Sequence, residues 1–213
     1  ALPPARAGVQ LQRPEPCGKR QSMRGCAGAR RTKGKRGAVH MEKLLILGAG
    51  GYGRTVAEAA AGQFETAFLD DASPLAAAPC ERYAEFAGEY AFAYPAFGDN
   101  ALRAQWLQRL KAAGFRLPVL RHAQSFVSPS AVLAPGSVVL AMACVGTASV
   151  VEEGAIVNLG AILDHDCTLG ACAHLAPGAV VKAGNRVPPQ AKIDSGCVLA
   201  RAAVPGKGNG VHV

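Results

Sequence analysis

Between Leu163 and Ala179 two histidines, His165 and His174, stand nine residues apart in a run dominated by aliphatic, small and glycine residues, and Asp164 and Asp166 flank the first. An imidazole gains and loses a proton near neutral pH, and a neighbouring carboxylate orients the ring and favours its protonated form. His165 with Asp166 is therefore a candidate general base with a supporting acid. The competing role is structural, a histidine at a corner holding a carbonyl of the next turn of chain. A second constellation, "GAGGYG", matches G-x-G-x-x-G at Gly48, Gly50 and Gly53, and Asp70 follows about twenty residues later, as in a dinucleotide-binding fingerprint. Met41 to Leu120 is only about half of a complete six-strand dinucleotide fold, so the segment suits one nucleotide. The plain alternative is a glycine turn that packs a helix on a strand.

The elements that must position these groups divide into two patterns. From Met41, "KLLILGAGGYGRTVAEAAAG" reads as strand, loop and helix. "ETAFLDD" gives a second strand, "EYAFAYPAF" a third, "DNALRAQWLQRLKAAG" an amphipathic helix and "FRLPVL" a closing strand. This alternation predicts a small parallel α/β sheet.

After about Arg121 a strict period of six replaces the helical one. Aliphatic residues recur at every sixth position from Val127 through Val145, Leu163 and Val181 to Leu199. Four residues after each comes a small one, with Asn185 the exception. Even spacing puts both positions on one face of an extended chain, and small residues allow tight corners. Prolines in "LAPG" and "VPPQ" rule out a helix interior. The pattern predicts a solenoid prism whose layers bury one continuous core.

Taken in order, "LILGAGGYG", "FLDD", "FGDNALR", "SFVSPSAVL", "VNLGAILDHDC" and "HLAPGA" resemble the hexapeptide-repeat acyltransferases with a left-handed parallel β-helix. Within them the chain is similar to sugar acetyltransferases with a small N-terminal α/β domain, the UDP-4-amino-sugar N-acetyltransferases of bacillosamine and pilin glycosylation and the sialic acid O-acetyltransferases. The resemblance implies a half-Rossmann domain over 41–121 and a left-handed β-helix over 122–204. It implies acetyl-CoA as co-substrate, a nucleotide-sugar acceptor, no metal, and a homotrimer with sites between neighbouring prisms. Residue by residue it implies His165 as base and Asp166 as its support. It brings His174 and Ser195 to acetyl-CoA, with the Ala183 amide, one coil beyond His165, as oxyanion donor. Gly50, Gly51, Tyr52, Asp70, Asp71 and Gly98 would hold the nucleotide-sugar, helix-start amides facing its phosphates. Relatives often carry His where Tyr52 stands. Lys182, Arg186, Lys192, Arg201 and Lys207 would meet the phosphates of coenzyme A or form a solvated basic surface.

The formal charge of +8 suggests nucleic acid until it is located. Residues 1–40 hold ten Lys/Arg and one acid, leaving thirteen bases against fourteen acids. The basic character thus belongs to a Pro-, Gly- and Arg-rich leader expected to be disordered. It reads as translated upstream sequence before Met41, a transit peptide or an anion-binding arm. Residues 205–213 read as a flexible tail, and the repeat stops earlier than relatives commonly do. Seven cysteines without a CxxC pair fit reduced thiols in a cytoplasmic protein. No apolar run reaches the roughly 18 residues of a membrane span, so no membrane partner is expected, and with the basic excess confined to the leader nucleic acid is not expected either.

Three rivals accompany this assignment. One is O-acetylation of a sialic-acid-like sugar. Another is a zinc carbonic anhydrase on the same repeat, which needs three converging histidines where His165 and His174 supply two. The third is a nucleotide-sugar-binding scaffold without catalysis, or one whose leader binds nucleic acid with salt-dependent affinity.

Overall fold

The computed structural model describes residues 41–201. The basic leader over 1–40 and the tail over 205–213 lie outside the described residues. β1 (Glu42–Leu47), β2 (Phe64–Leu69), β3 (Ala76–Ala78) and β4 (Phe92–Pro95) form a parallel sheet in the order β3-β2-β1-β4. β1 is central, and Leu44, Leu45, Ile46 and Leu47 are all fully buried. This explains its unbroken apolar run, since a parallel strand covered on both faces has no solvent side to alternate with. α1 (Gly51–Ala60) follows the glycine loop, and α2 (Asn100–Ala112) is capped by the Asp99 carboxylate, which accepts from Leu102 N. The β3 strand and a 3-10 segment over Cys80–Phe86 are additions that the sequence pattern does not signal.

"FRLPVL" does not close this sheet as one strand. Arg116 only bridges to Phe92, Pro118 interrupts, and Leu120–Arg121 pairs with Val138–Val139 in the next part of the chain. The prism therefore starts slightly ahead of the point where its period becomes visible.

From Leu120 to Leu199 fourteen two-residue strands stack in three parallel sheets, the faces of a left-handed β-helix. Paired residues are eighteen apart, as in Ile156↔His174 and Thr168↔Arg186. The first face runs through Leu120–Arg121, Val138–Val139, Ile156–Val157, His174–Leu175 and Lys192–Ile193. The second contains Ile162–Leu163 and the third Thr168–Leu169. Inside, Val139, Val145, Val151, Val157, Leu163, Leu169, Leu175 and Val181 form one core with the small residues of the corners. Every sixth residue from Gly136 to Gly196 has positive φ, and only some of these are glycine. Asp166, at φ 57°, is one of the others, and aspartate is among the few side chains that tolerate this conformation.

The two parts share a core. Leu120, Val138 and Leu140, pointing out of the prism's first face, are buried with Leu44, Ile46, Val56 and Tyr94. α2 seats Leu107 on the corner glycines: a methyl group on Gly154 would overlap Leu107, and one on Gly136 would come within 3.1 Å of it.

Candidate active site

Asp164, His165, Asp166 and Cys167 make the corner between the second and third faces. One coil earlier, Gly146 leaves room for it, since a Cβ there would stand 2.8 Å from Asp164 C and His165 N. Ser149 Oγ donates to Asp164 O at 2.5 Å and accepts from Cys167 N at 3.0 Å. Asp166 N donates to Thr147 O, and Gly184 N to His165 O, so the turn is tied to the coils on both sides. On this fixed backbone His165 Nδ1 meets Asp166 Oδ2 at 2.7 Å. With Nδ1–H donating to the carboxylate, a neutral ring presents its lone pair at Nε2. Both side chains are more than half exposed, so Nε2 is open to a substrate. Cys167 is buried as part of the prism core.

Stacking by eighteen puts Ala183 one coil beyond His165, but its amide is engaged. It donates to Asp164 Oδ2 at 3.2 Å, while Asp164 Oδ1 accepts from His165 N at 2.8 Å. The first of these is long for a hydrogen bond to a carboxylate.

His174 occupies a different environment. It lies on the prism's first face between Ile156 and Lys192, is only 9% exposed, and approaches Asn158 Nδ2 through Nε2 at 2.9 Å. Asn158 Oδ1 accepts from Leu159 N, which fixes the amide and makes Nδ2 the donor. Nε2 is then the acceptor and Nδ1 carries the proton. Among the described residues Nδ1 has no partner. Burial, then the charges of Arg103 and Lys192, lower the imidazole to about 4, so the ring is neutral near pH 7.

The glycine loop sorts its residues by role. Gly48, at φ 99°, turns the chain, and a Cβ on Gly53 would overlap Gly48 O, so these two pack helix against strand. Gly50 and Gly51 face open space. Gly50 is the N-cap of α1, with no side-chain cap and no acid in the first turn, so the first helical amides are available to an anion. Asp70 braces this loop: Oδ2 accepts from Ala49 N at 2.7 Å and Oδ1 from Ala72 N and Ser73 N. These donors, Ala49 first, hold its carboxyl below the usual range. Asp71 accepts from Cys80 N, and Gly98 lies exposed just before α2. Tyr52 turns away from the loop mouth, its hydroxyl 2.8 Å from that of Tyr94 and its ring against the shared core. Ser195 is exposed at the corner after Lys192.

In a three-sided prism the corner between the second and third faces is opposite the first face. One chain therefore carries His165 on one side and His174 on the other. The glycine loop belongs to the His174 side, because α1 and β1 pack on the first face.

Residues 43–110 match the family model described as the PglD N-terminal domain. The chain is similar to the acetyltransferase domain of PglB from Neisseria gonorrhoeae FA1090 in complex with acetyl coenzyme A, at 38% identity and a TM-score of 0.71, over 74% of this chain and 82% of that one. The chain belongs to the PglD family of hexapeptide-repeat sugar acetyltransferases. PerB from Caulobacter crescentus, in complex with CoA and GDP-perosamine, matches at 28% identity and a TM-score of 0.67, over 75% of this chain and 89% of that one. WeeI from Acinetobacter baumannii AYE, at 21% identity and a TM-score of 0.66 over 78% and 84%, shares the PglD-family fold.

Sequence reasoning missed Asn158 and Arg103. Arg103 had a legible signal: it lies on the same helical face as Trp106, Leu107 and Leu110, where a charge is out of place.

Proposed function

We propose that the protein transfers an acetyl group from acetyl-CoA to the amino group of a nucleotide-activated sugar, of the UDP-4-amino-sugar class, with His165 as general base. The observation that carries this is the His165 Nδ1–Asp166 Oδ2 contact at 2.7 Å on an open corner. As the amine nitrogen bonds to the thioester carbon, His165 Nε2 takes its proton, and the proton passes to the sulfur of coenzyme A as the carbon–sulfur bond breaks. Asp166 stabilises the imidazolium in between. The Ala183 N–H serves the developing oxyanion, which displaces Asp164 Oδ2 from its long bond.

The acceptor's diphosphate would lie at the uncapped start of α1, on the amides of Gly51 and Tyr52, with Gly50, Asp70, Asp71 and Gly98 around it. The residues also suit acetyl-CoA. The buried His174 Nδ1–H is a donor in need of an acceptor, and Lys182, Arg186, Lys192 and Arg201 are the basic side chains of the last coils. Ser195 would contact the same co-substrate. With His165 and His174 on opposite sides of one prism, a complete site needs His165 from a neighbouring chain, which supports a homotrimer. The five described cysteines are all free, which supports a reducing, cytoplasmic setting.

The test is thiol release from acetyl-CoA with UDP-4-amino-sugars as acceptors, for wild type and His165→Ala. Acceptor-dependent release should fall on the order of 100- to 10,000-fold in the variant. Equal release in both would remove His165 from the chemistry. Release with a sugar hydroxyl but no amine would move the assignment to O-acetylation.

A further inference from the structure

Arg103 is fully buried, and among the described residues no carboxylate pairs with it. Its guanidinium spends its donors on both parts of the molecule. Nε donates to Gly154 O at 2.9 Å and Nη2 to Cys172 O at 2.6 Å, two corner carbonyls one coil apart on the prism. Nη1 donates to Phe97 O at 2.9 Å, the carbonyl directly before Gly98, and Nη2 also reaches Asn100 Oδ1 at 2.8 Å. Asn100 in turn donates to Gln190 O and Ala191 O, one coil further along. Burying an unpaired cation is costly, and a purely structural helix seat is made more cheaply by apolar side chains. Leu107 already supplies such a seat on Gly136 and Gly154.

We infer that Arg103 is a positioning residue that fixes the Phe97–Gly98 loop and the Cys172–His174 segment in one register, so that the nucleotide-sugar and the thioester are presented at a set distance. This rests on the acetyl-transfer assignment above. Arginine suits the task because its planar fork spans three carbonyls at once, which the single ammonium of lysine does not. Its charge has a second effect, helping to keep the neighbouring His174 neutral.

The experiment compares wild type, Arg103→Lys, Arg103→Met and the packing control Leu107→Ala as full chains. It measures melting temperature, kinetics with acetyl-CoA and a UDP-4-amino-sugar, and NMR titration of the His174 ring. Leu107→Ala is expected to melt lower, with KM and kcat within about two-fold of wild type. Arg103→Lys should keep the low His174 midpoint yet lose kcat on the order of 10- to 100-fold, because misplacement alone costs that much. Arg103→Met should lose kcat similarly and move the His174 midpoint upward. If Arg103→Lys retains wild-type kcat and KM, or if the Arg103 variants differ from wild type only in melting temperature, the inference is overturned. Should wild type transfer no acetyl group, the acetyl-transfer assignment fails separately. Isothermal titration with coenzyme A and with a UDP-sugar then decides on Arg103, and affinities left unchanged in both Arg103→Lys and Arg103→Met sink the inference.

Discussion

At His174 burial and two nearby cations hold the imidazole at about 4, against 6.5 for a free histidine. Between these values the unfolded chain binds the proton more readily than the folded one, so stability rises with pH across this window. The penalty is absent above pH 6.5, grows as pH falls, and is complete below about pH 4. At pH 5 it amounts to about 2 kcal/mol. Urea unfolding at pH 7.5 and pH 5 should show this loss in wild type and a smaller one in His174→Gln. An equal loss in both would place the acid sensitivity elsewhere. Gly146 gives a second prediction of this kind. Its missing side chain admits the Asp164–His165 backbone, so Gly146→Ala should destabilise the fold by about 1–3 kcal/mol, the cost of overpacking a tight site. It should also lower kcat at temperatures where the variant is folded, because the displaced turn carries His165, the proposed base. Wild-type kcat in a folded Gly146→Ala protein would show that the corner adapts without moving His165.

The α1 element depends on two kinds of glycine, and their substitutions should separate. Gly53→Ala would drive a methyl group into Gly48 O, so melting temperature and nucleotide-sugar affinity should fall together. Gly51→Ala meets nothing within 4 Å and gains helix propensity, so the melting temperature should hold or rise. Affinity should still fall if the first-turn amides cradle a phosphate, as isothermal titration with a UDP-sugar would show. The prism was legible because its inward positions obey a period that helices and flat sheets do not share. Even the exception was informative: Asn185 fills a small-residue position and donates to Lys182 O and Ala200 O, satisfying carbonyls that an alanine would leave alone. The α/β sheet was legible in β1, β2 and β4, but the three alanines of β3 carry no alternation to read. At the site, Asp166 beside His165 was visible as a neighbour in sequence. The bond from Ala183 to Asp164 and those from Arg103 to Gly154 and Cys172 were not, because each joins residues nineteen or more positions apart and one partner is a backbone atom that any sequence would supply.

At the scale of the whole molecule, the decisive fact is that a single prism carries His165 and His174 on opposite sides. The second face, which ends at the His165 corner, presents a column of apolar side chains, with Phe126 57%, Ile162 41% and Val198 56% exposed. Packing this face against a neighbouring prism would bury the column and carry His165 toward another chain's first face. Phe126→Glu, two coils from the His165 turn, should therefore weaken the assembly by placing a charge in its contact. Light scattering should show smaller species, and activity should fall with protein concentration. Subunit mixing tests the shared site more directly. His165→Ala and His174→Ala should each be nearly inactive alone. In the proposed homotrimer, mixed at random, about a quarter of the interfaces would join an intact His165 to an intact His174, so about that fraction of wild-type activity should return. Recovery is expected only if each site draws on two chains. Mixed assemblies that stay as inactive as their parents would mean that both groups serve one chain's chemistry, against their placement on opposite sides of the prism.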